Sequence, residues 1–246
     1  MKNIVLAAGY ATRLYPVTEN FPKPLLEIGG ISILDRLIVD IDGIEEIDEH
    51  IIVSNHKFLS HFEKWAATSR YKKNITIIDD GSVVNENRLG AVKDLLLAIE
   101  DKQLYDDDLL VIAADNVVTF SFKSFLDYFK EKQSSIIMTY FEQDSLKLQQ
   151  MGVITMDVDD KVLEMQEKPH NPQSNYATPP FYIYKKSDIK LIRECVSEGC
   201  NTDAPGSLVQ SMLAKTVFYA WHMTGKRFDI GTLDSYLNSR FLTLNF

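Results

Sequence analysis

The chain has 246 residues, 45% of them apolar and 25% charged, with a formal net charge of −9. This length accommodates one large α/β domain or two small ones, and the composition is ordinary for a globular protein. The acidic balance argues against nucleic-acid binding through a broad basic surface, and no apolar run approaches the length of a bilayer span.

The N-terminus passes directly into an apolar run, Ile4-Val5-Leu6, with no cleavage pattern and no spare length for a signal peptide. A cytoplasmic location is therefore expected. The run reads as a buried strand. It continues through Leu6, Ala7, Ala8, Gly9, Tyr10, Ala11, Thr12 and Arg13, and Phe21-Pro22-Lys23-Pro24 follows. Small residues let a backbone approach a ligand, and its free N–H groups can cradle phosphate oxygens. Arg13 and Lys23 add positive charge beside that cradle. A strand running into such a loop outlines a nucleotide-phosphate site. The pattern is not a Walker A loop, since no Gly-Lys-Ser/Thr follows, and not the dinucleotide fingerprint, since the loop holds a single glycine.

Elements then alternate along the chain. A helix at 33–38, a strand at 51–54, a helix at 58–65, a strand at 75–78 and a helix from about 89 to 99 come first. A strand at 109–113, a helix at 122–129 and a strand at 135–140 follow. Such alternation predicts a mostly parallel sheet covered on both faces. After Gly152 the rhythm changes: 153–156 and 162–165 read as a hairpin joined by 157–161, and 176–184 as a further strand. Helices at 189–196 and 207–213, a strand at 217–220 and a closing helix at 233–241 complete the pattern. There is no Gly-, Ser- or Pro-rich linker and no repeat. The expectation is one domain, 1–246, with a nucleotide-binding half (1–120) and an acceptor-binding half (121–246). Cys195 and Cys200 lack a framework of partners and read as packing residues in a reducing compartment.

Two aspartates end apolar runs. Asp115 follows the 109–113 strand at its carboxyl end, where ligands bind in open α/β sheets, although an aspartate there also serves as a helix cap. Asp229 lies in Arg227-Phe228-Asp229-Ile230-Gly231-Thr232, and Glu167-Lys168-Pro169 offers a charged pair ahead of a turn. An acidic protein that handles polyanions needs local cations or a metal. Two unit charges about 4 Å apart interact by roughly 4 kcal/mol at an effective dielectric of about 20.

Together these motifs resemble the signature of the sugar-phosphate nucleotidyltransferases, which make nucleoside-diphosphate sugars. The opening loop resembles their Leu-Ala-Gly/Ala-Gly-x-Gly-Thr-Arg-Leu-x-Pro-x-Thr followed by Pro-Lys-Pro. Residues 111–116 resemble Gly-Asp-Asn, Gly152-Val153-Ile154 their Tyr-Gly-Val, 167–169 Glu-Lys-Pro and 229–232 Asp-x-Gly-Thr. The likeness runs from residue 2 to about residue 235.

The resemblance implies a Rossmann-like α/β/α sandwich of the GT-A-like type with a mostly parallel mixed sheet. It implies transfer of a nucleoside monophosphate from an NTP to a sugar 1-phosphate, with release of pyrophosphate. Asp115 and Asp229 are then ligands of Mg2+, and Arg13, Lys23 and Lys168 complete the catalytic set, with Lys168 on the acceptor's phosphate. Residues 6–13 and Lys23 hold the nucleotide, with Asn87 and Gly90 near the nucleoside. An amide at Asn87 reads a pyrimidine edge by paired donor and acceptor. Asn116, Gly152, Glu167, Lys168 and Thr178 fall on the acceptor side. No nucleic-acid or membrane partner is implied, and the chain is expected as a monomer or small homo-oligomer. It ends soon after Thr232, so the extra C-terminal helices of larger relatives are not expected.

Three positions depart from the family pattern. Ala11 stands where the loop has its second glycine, a change tolerated if its φ is negative. Ala114 replaces the glycine before the metal aspartate, and Thr178-Pro179-Pro180 stands where many sugar enzymes have a glycine. The last two leave the acceptor open: a sugar 1-phosphate first, a polyol phosphate or choline phosphate next. A non-catalytic nucleotide-sugar-binding regulatory domain is the alternative from another class.

Overall fold

The computed structural model describes residues 1–239. The last two residues of the expected closing helix, 240 and 241, lie outside them. In chain order the strands and helices begin with β1 (Lys2–Leu6), β2 (Glu27–Ile28), β3 (Ile31–Ser32), α1 (Ile33–Asp42), β4 (Glu49–Ser54), α2 (Leu59–Thr68) and β5 (Asn74–Asp79). Then come α3 (Ala91–Lys102), β6 (Leu109–Ala113), β7 (Asn116–Val118), α4 (Phe122–Lys132), β8 (Ser135–Phe141), α5 (Ser145–Leu148), β9 (Gly152–Met156) and β10 (Val162–Glu167). The chain closes with β11 (Tyr176–Thr178), β12 (Phe181–Tyr184), α6 (Ile189–Ser197), α7 (Pro205–Met212), β13 (Phe218–His222), β14 (Arg227–Asp229) and α8 (Leu233–Ser239). They form two compact units. Among the described residues, one takes 2–88, 113–123 and 224–239; the other takes Met1, 89–112 and 124–223.

In the first unit β1, β4 and β5 pair in parallel, with Lys2 opposite Glu49 and Glu49 opposite Asn74. Ile4 and Val5 on β1 and Ile51, Ile52 and Val53 on β4 are fully buried, as strands covered on both faces require, whereas on β5 Ile78 is buried and Ile75 and Ile77 are half-buried. The β2–β3 hairpin turns on Gly29 and Gly30, both at positive φ, which the tight turn demands and glycine supplies at no steric cost. Ser32 then caps α1 by accepting from the Asp35 N–H at 2.9 Å. Far along the chain, β14 pairs antiparallel with β7, setting Arg227 opposite Val118 and Asp229 opposite Asn116. Leu14, Leu26, Ile28, Ile33, Val117, Ile230 and Tyr236 form one buried cluster that ties the opening loop to this ladder.

The second unit is a mixed sheet. β10–β9–β11–β8–β12–β6 run antiparallel to their neighbours, and β13 joins β8 in parallel. The expected hairpin at 153–165 is β9–β10. The single strand expected over 176–184 is two strands instead. Pro179 and Pro180 carry no N–H for a ladder, so β11 ends at Thr178 and a tight turn, Phe181 N–H to Pro179 O at 2.7 Å, starts β12, which keeps β8 as one neighbour and exchanges β9 for β6 as the other. Parallel pairing dominates the first unit and antiparallel pairing the second, an α/β architecture with a mixed sheet.

Candidate active site

The first unit places the opening loop, Lys23 and both aspartates. The chain leaves β1 with Ala7 N–H still on Val53 O at 2.9 Å, and Ala8 O accepts from Asn55 Nδ2 at 2.9 Å. The buried Asn55 thus clamps the loop from the end of β4, while its own Oδ1 accepts from Phe58 N–H at 2.9 Å. Tyr10 is buried and its hydroxyl meets Ser82 Oγ at 3.1 Å. Gly9, Thr12 and Arg13 face solvent. Ala11 has φ +48 and ψ +42, so the condition set for it on sequence, a negative φ, is not met. The left-handed turn is held by Leu14 N–H and Thr18 Oγ1, which both donate to Ala11 O, at 2.9 and 2.8 Å.

Lys23 is buried, yet its Nζ reaches Asp115 Oδ2 at 3.1 Å. The Asp115 side chain is 44% exposed, so the pair opens to solvent on the carboxylate side. Asp229 is exposed, and its carboxylate curls over Gly231. Asn116, expected on the acceptor side, is 1% exposed and spends both amide atoms inside the protein. Its Nδ2 donates to Asp115 Oδ1 at 2.6 Å and its Oδ1 accepts from Arg227 Nη1 at 2.6 Å. Burial and one hydrogen bond at each amide atom make it a bridge between side chains. Ala114 is buried as well, its N–H on Leu6 O at 3.1 Å. Asn87 is exposed, but its Oδ1 accepts from the N–H groups of Val83 and Val84, at 3.2 Å each. Only its NH2 remains for a base edge.

The second unit gathers Gly152, Glu167, Lys168 and Thr178. In the sheet Gly152 sits between Glu167 on β10 and Thr178 on β11. A Cβ at Gly152 would strike the Thr178 hydroxyl and lie 2.5 Å from Met165 Cε, so close packing of this row demands glycine. Lys168 is exposed with φ +49, and its N–H donates to Met151 O at 3.0 Å. Glu167 and Lys168 line a cavity of about 630 Å³ with Asn201, Asp203, Ala204, Ser207, Gln210 and Ser211. Burial pushes the Glu167 carboxyl above its ordinary range; Asp203 adds to this and Lys168 opposes it.

Sequence reasoning missed the α7 wall of this cavity. Ser207, Gln210 and Ser211 fall at i, i+3 and i+4, one helix face, while Leu208, Val209 and Met212 are buried. That polar stripe is the available signal, and it normally marks a solvated face. Gly90 was legible as special, but its neighbours are protein. It has φ +90, and a Cβ would lie 2.5 Å from Thr202 O.

A loop leaving β1, a lysine–aspartate pair facing solvent and a second aspartate set opposite Asn116 by a two-strand ladder are brought together on this α/β unit. A sequence model of the nucleotidyl transferase family matches residues 2–244, and the chain belongs to that family. Glucose-1-phosphate adenylyltransferase of Fervidobacterium nodosum is 27% identical over 250 residues, covering 96% of this chain and 60% of that protein. The bifunctional protein GlmU of Methanococcus aeolicus is 31% identical over 199 residues, covering 78% and 42%. The chain thus spans about half the length of such relatives. The structure of UDP-glucose pyrophosphorylase complexed with UDP-glucose superposes with a TM-score of 0.80 at 20% identity, covering 97% of this chain and 96% of that one, which establishes the fold. No helix among the described residues is long and apolar enough to cross a membrane.

Proposed function

We propose that this protein transfers a nucleoside monophosphate from a nucleoside triphosphate to a sugar 1-phosphate and releases pyrophosphate. The observation that carries the reading is the β7–β14 ladder. It sets Asp229 opposite Asn116, next to an Asp115 that already holds Lys23.

The two aspartates suit Mg2+. Both offer exposed oxygen donors, and Mg2+ is typically held by one or two carboxylates with waters and substrate phosphates, without an all-protein cage. Among the described residues no group of three or more His, Cys, Asp or Glu is placed to hold a metal ion, so an ion on these two carboxylates would take its remaining ligands from water and substrate phosphates. When bound, the ion would withdraw charge from the α-phosphate.

In the reaction an acceptor phosphate oxygen bonds to the α-phosphorus, and the bond from that phosphorus to the bridging oxygen breaks, freeing pyrophosphate. A phosphate monoester has a second pKa near ~6 and is largely dianionic at neutral pH, so no general base is required. Charge compensation is required instead. Arg13, exposed on the opening loop, takes the β- and γ-phosphates. Lys23 reaches the α-phosphate from its place on Asp115, and Lys168 holds the acceptor's phosphate. Catalysis is then positioning and charge stabilisation.

The hydrogen-bonding groups around the cavity beside Lys168 support a hydroxyl-rich acceptor. A pyrimidine triphosphate is the finer proposal, supported by the Asn87 amide through its NH2 alone. A cytoplasmic location is proposed alongside, supported by the free thiols of Cys195 and Cys200.

The test is pyrophosphate release from each NTP against a panel of hexose 1-phosphates, polyol phosphates and choline phosphate, with and without Mg2+. We expect Mg2+-dependent release with a hexose 1-phosphate. Asp115→Asn and Asp229→Asn should each lower kcat by about 100-fold or more, the scale of losing one electrostatic stabiliser. Release with a polyol phosphate or choline phosphate alone would move the acceptor class. No release with any pair would overturn transfer and leave a nucleotide-sugar-binding regulatory role.

A further inference from the structure

Three hydrogen bonds in the first unit form one chain. Arg227 Nη1 donates to Asn116 Oδ1 at 2.6 Å, Asn116 Nδ2 donates to Asp115 Oδ1 at 2.6 Å, and Lys23 Nζ donates to Asp115 Oδ2 at 3.1 Å. A guanidinium only donates and an ionised carboxylate only accepts, so a single orientation of the Asn116 amide satisfies both neighbours. Its burial keeps water from competing for either bond.

We propose that Arg227 is a positioning residue: through Asn116 it fixes the Asp115 carboxylate, and along its own strand it couples that carboxylate to Asp229. The inference rests on the proposed nucleotidyl transfer. In the ladder Asp229 pairs with Asn116 and Arg227 with Val118. Paired residues, and residues two apart on one strand, share a face, so Arg227, Asn116 and Asp229 project together. A hydrogen bond from a cation polarises the amide and strengthens its N–H as a donor. Asp115 therefore meets a divalent cation in one preset orientation. Arginine suits this better than lysine, because its planar donors are fixed in direction. Outer partners of metal-binding carboxylates are worth about 10- to 100-fold in metal affinity or activity.

The test compares Arg227→Met, Arg227→Lys, Asn116→Ala and the Arg227→Met/Asn116→Ala double variant in the full chain. Mn2+ binding is measured by electron paramagnetic resonance with NTP alone, without turnover. Steady-state kinetics and melting temperature are measured beside it. Arg227→Met and Asn116→Ala should each weaken Mn2+ binding and lower kcat by about 10- to 100-fold. The double variant should lose no more than either single one, as members of one chain do, and Arg227→Lys should recover part of the loss. Unchanged Mn2+ binding in Arg227→Met overturns the proposal. So do additive losses, a loss confined to the acceptor KM, or a wild-type chain that binds no Mn2+ with NTP. If Arg227→Met melts below the assay temperature, Arg227→Lys and Asn116→Ala decide the matter. A wild-type chain that releases no pyrophosphate sinks the assigned reaction separately, because the Mn2+ measurement needs no acceptor.

Discussion

Ala11 sits in the left-handed region at φ +48, ψ +42, where an L side chain meets the following carbonyl at a cost of about 1–2 kcal/mol. The surrounding bonds from Leu14 and Thr18 over-determine the turn, and its methyl packs beside a buried cluster. Lys168 carries a similar strain at φ +49. Both lie in segments assigned to substrates, and strain of this kind concentrates at functional sites. Ala11→Gly removes the steric conflict but adds backbone freedom to the unfolded chain, worth about 0.5–1 kcal/mol against it. The net expectation is a gain of about 0.5–1 kcal/mol, read as a melting temperature higher by about 1–4 °C. A lower melting temperature would show that the methyl's packing outweighs the strain. At this scale the charged anchors were legible because arginine, lysine and aspartate sit in long, unusual motifs. The work of Asn116 was not, since its neighbour Arg227 lies over a hundred residues away and only folding pairs them.

The first turn of α3 needs partners for N–H groups that no preceding turn supplies. It finds them in backbone: Val92 N–H donates to Thr202 O at 3.0 Å and Ala91 N–H to Asp203 O at 3.4 Å. Gly90 makes this approach possible, since a Cβ there would lie 2.5 Å from Thr202 O and 3.1 Å from Asp203 Cα. Its φ of +90 adds strain for any other residue. Gly90→Ala should therefore lower stability by about 2–4 kcal/mol, with a melting temperature lower by roughly 5–15 °C. It should also weaken acceptor use, because Asn201 and Asp203 line the cavity beside Lys168. A melting temperature within about 2 °C of wild type would show that the 202–203 backbone yields freely. Long elements with a clear period, such as β4, α1 and α3, were legible in the sequence. β7 and β14 were not, because three residues are too short to display alternation. The break at Pro179-Pro180 was written in the sequence as two missing donors, though the aromatic run after it reads as one continuous strand.

Across the whole molecule the cations assigned to substrates are divided between the two units. Arg13 and Lys23 belong to the first, which also receives Asp229 from the segment beginning at 224, and Lys168 belongs to the second. A chain of net charge −9 repels both of the anionic substrates proposed for it at long range, so each must be met by its own local cation. Losing one charge-assisted hydrogen bond to a phosphate costs about 1.5–3 kcal/mol. Arg13→Ala should lower kcat/KM for the NTP by about 10- to 100-fold and leave the acceptor KM within about threefold. Lys168→Ala should do the reverse, because its side chain opens on the cavity shared with Glu167. Titrating each substrate at saturating levels of the other separates the two, and melting temperatures identify any loss that comes from unfolding. Both side chains are exposed, so neither substitution should shift the melting point by more than about 2 °C. If the two variants lose the same substrate and keep the other, the division of labour is wrong, and one of these cations serves a different group from the one assigned to it.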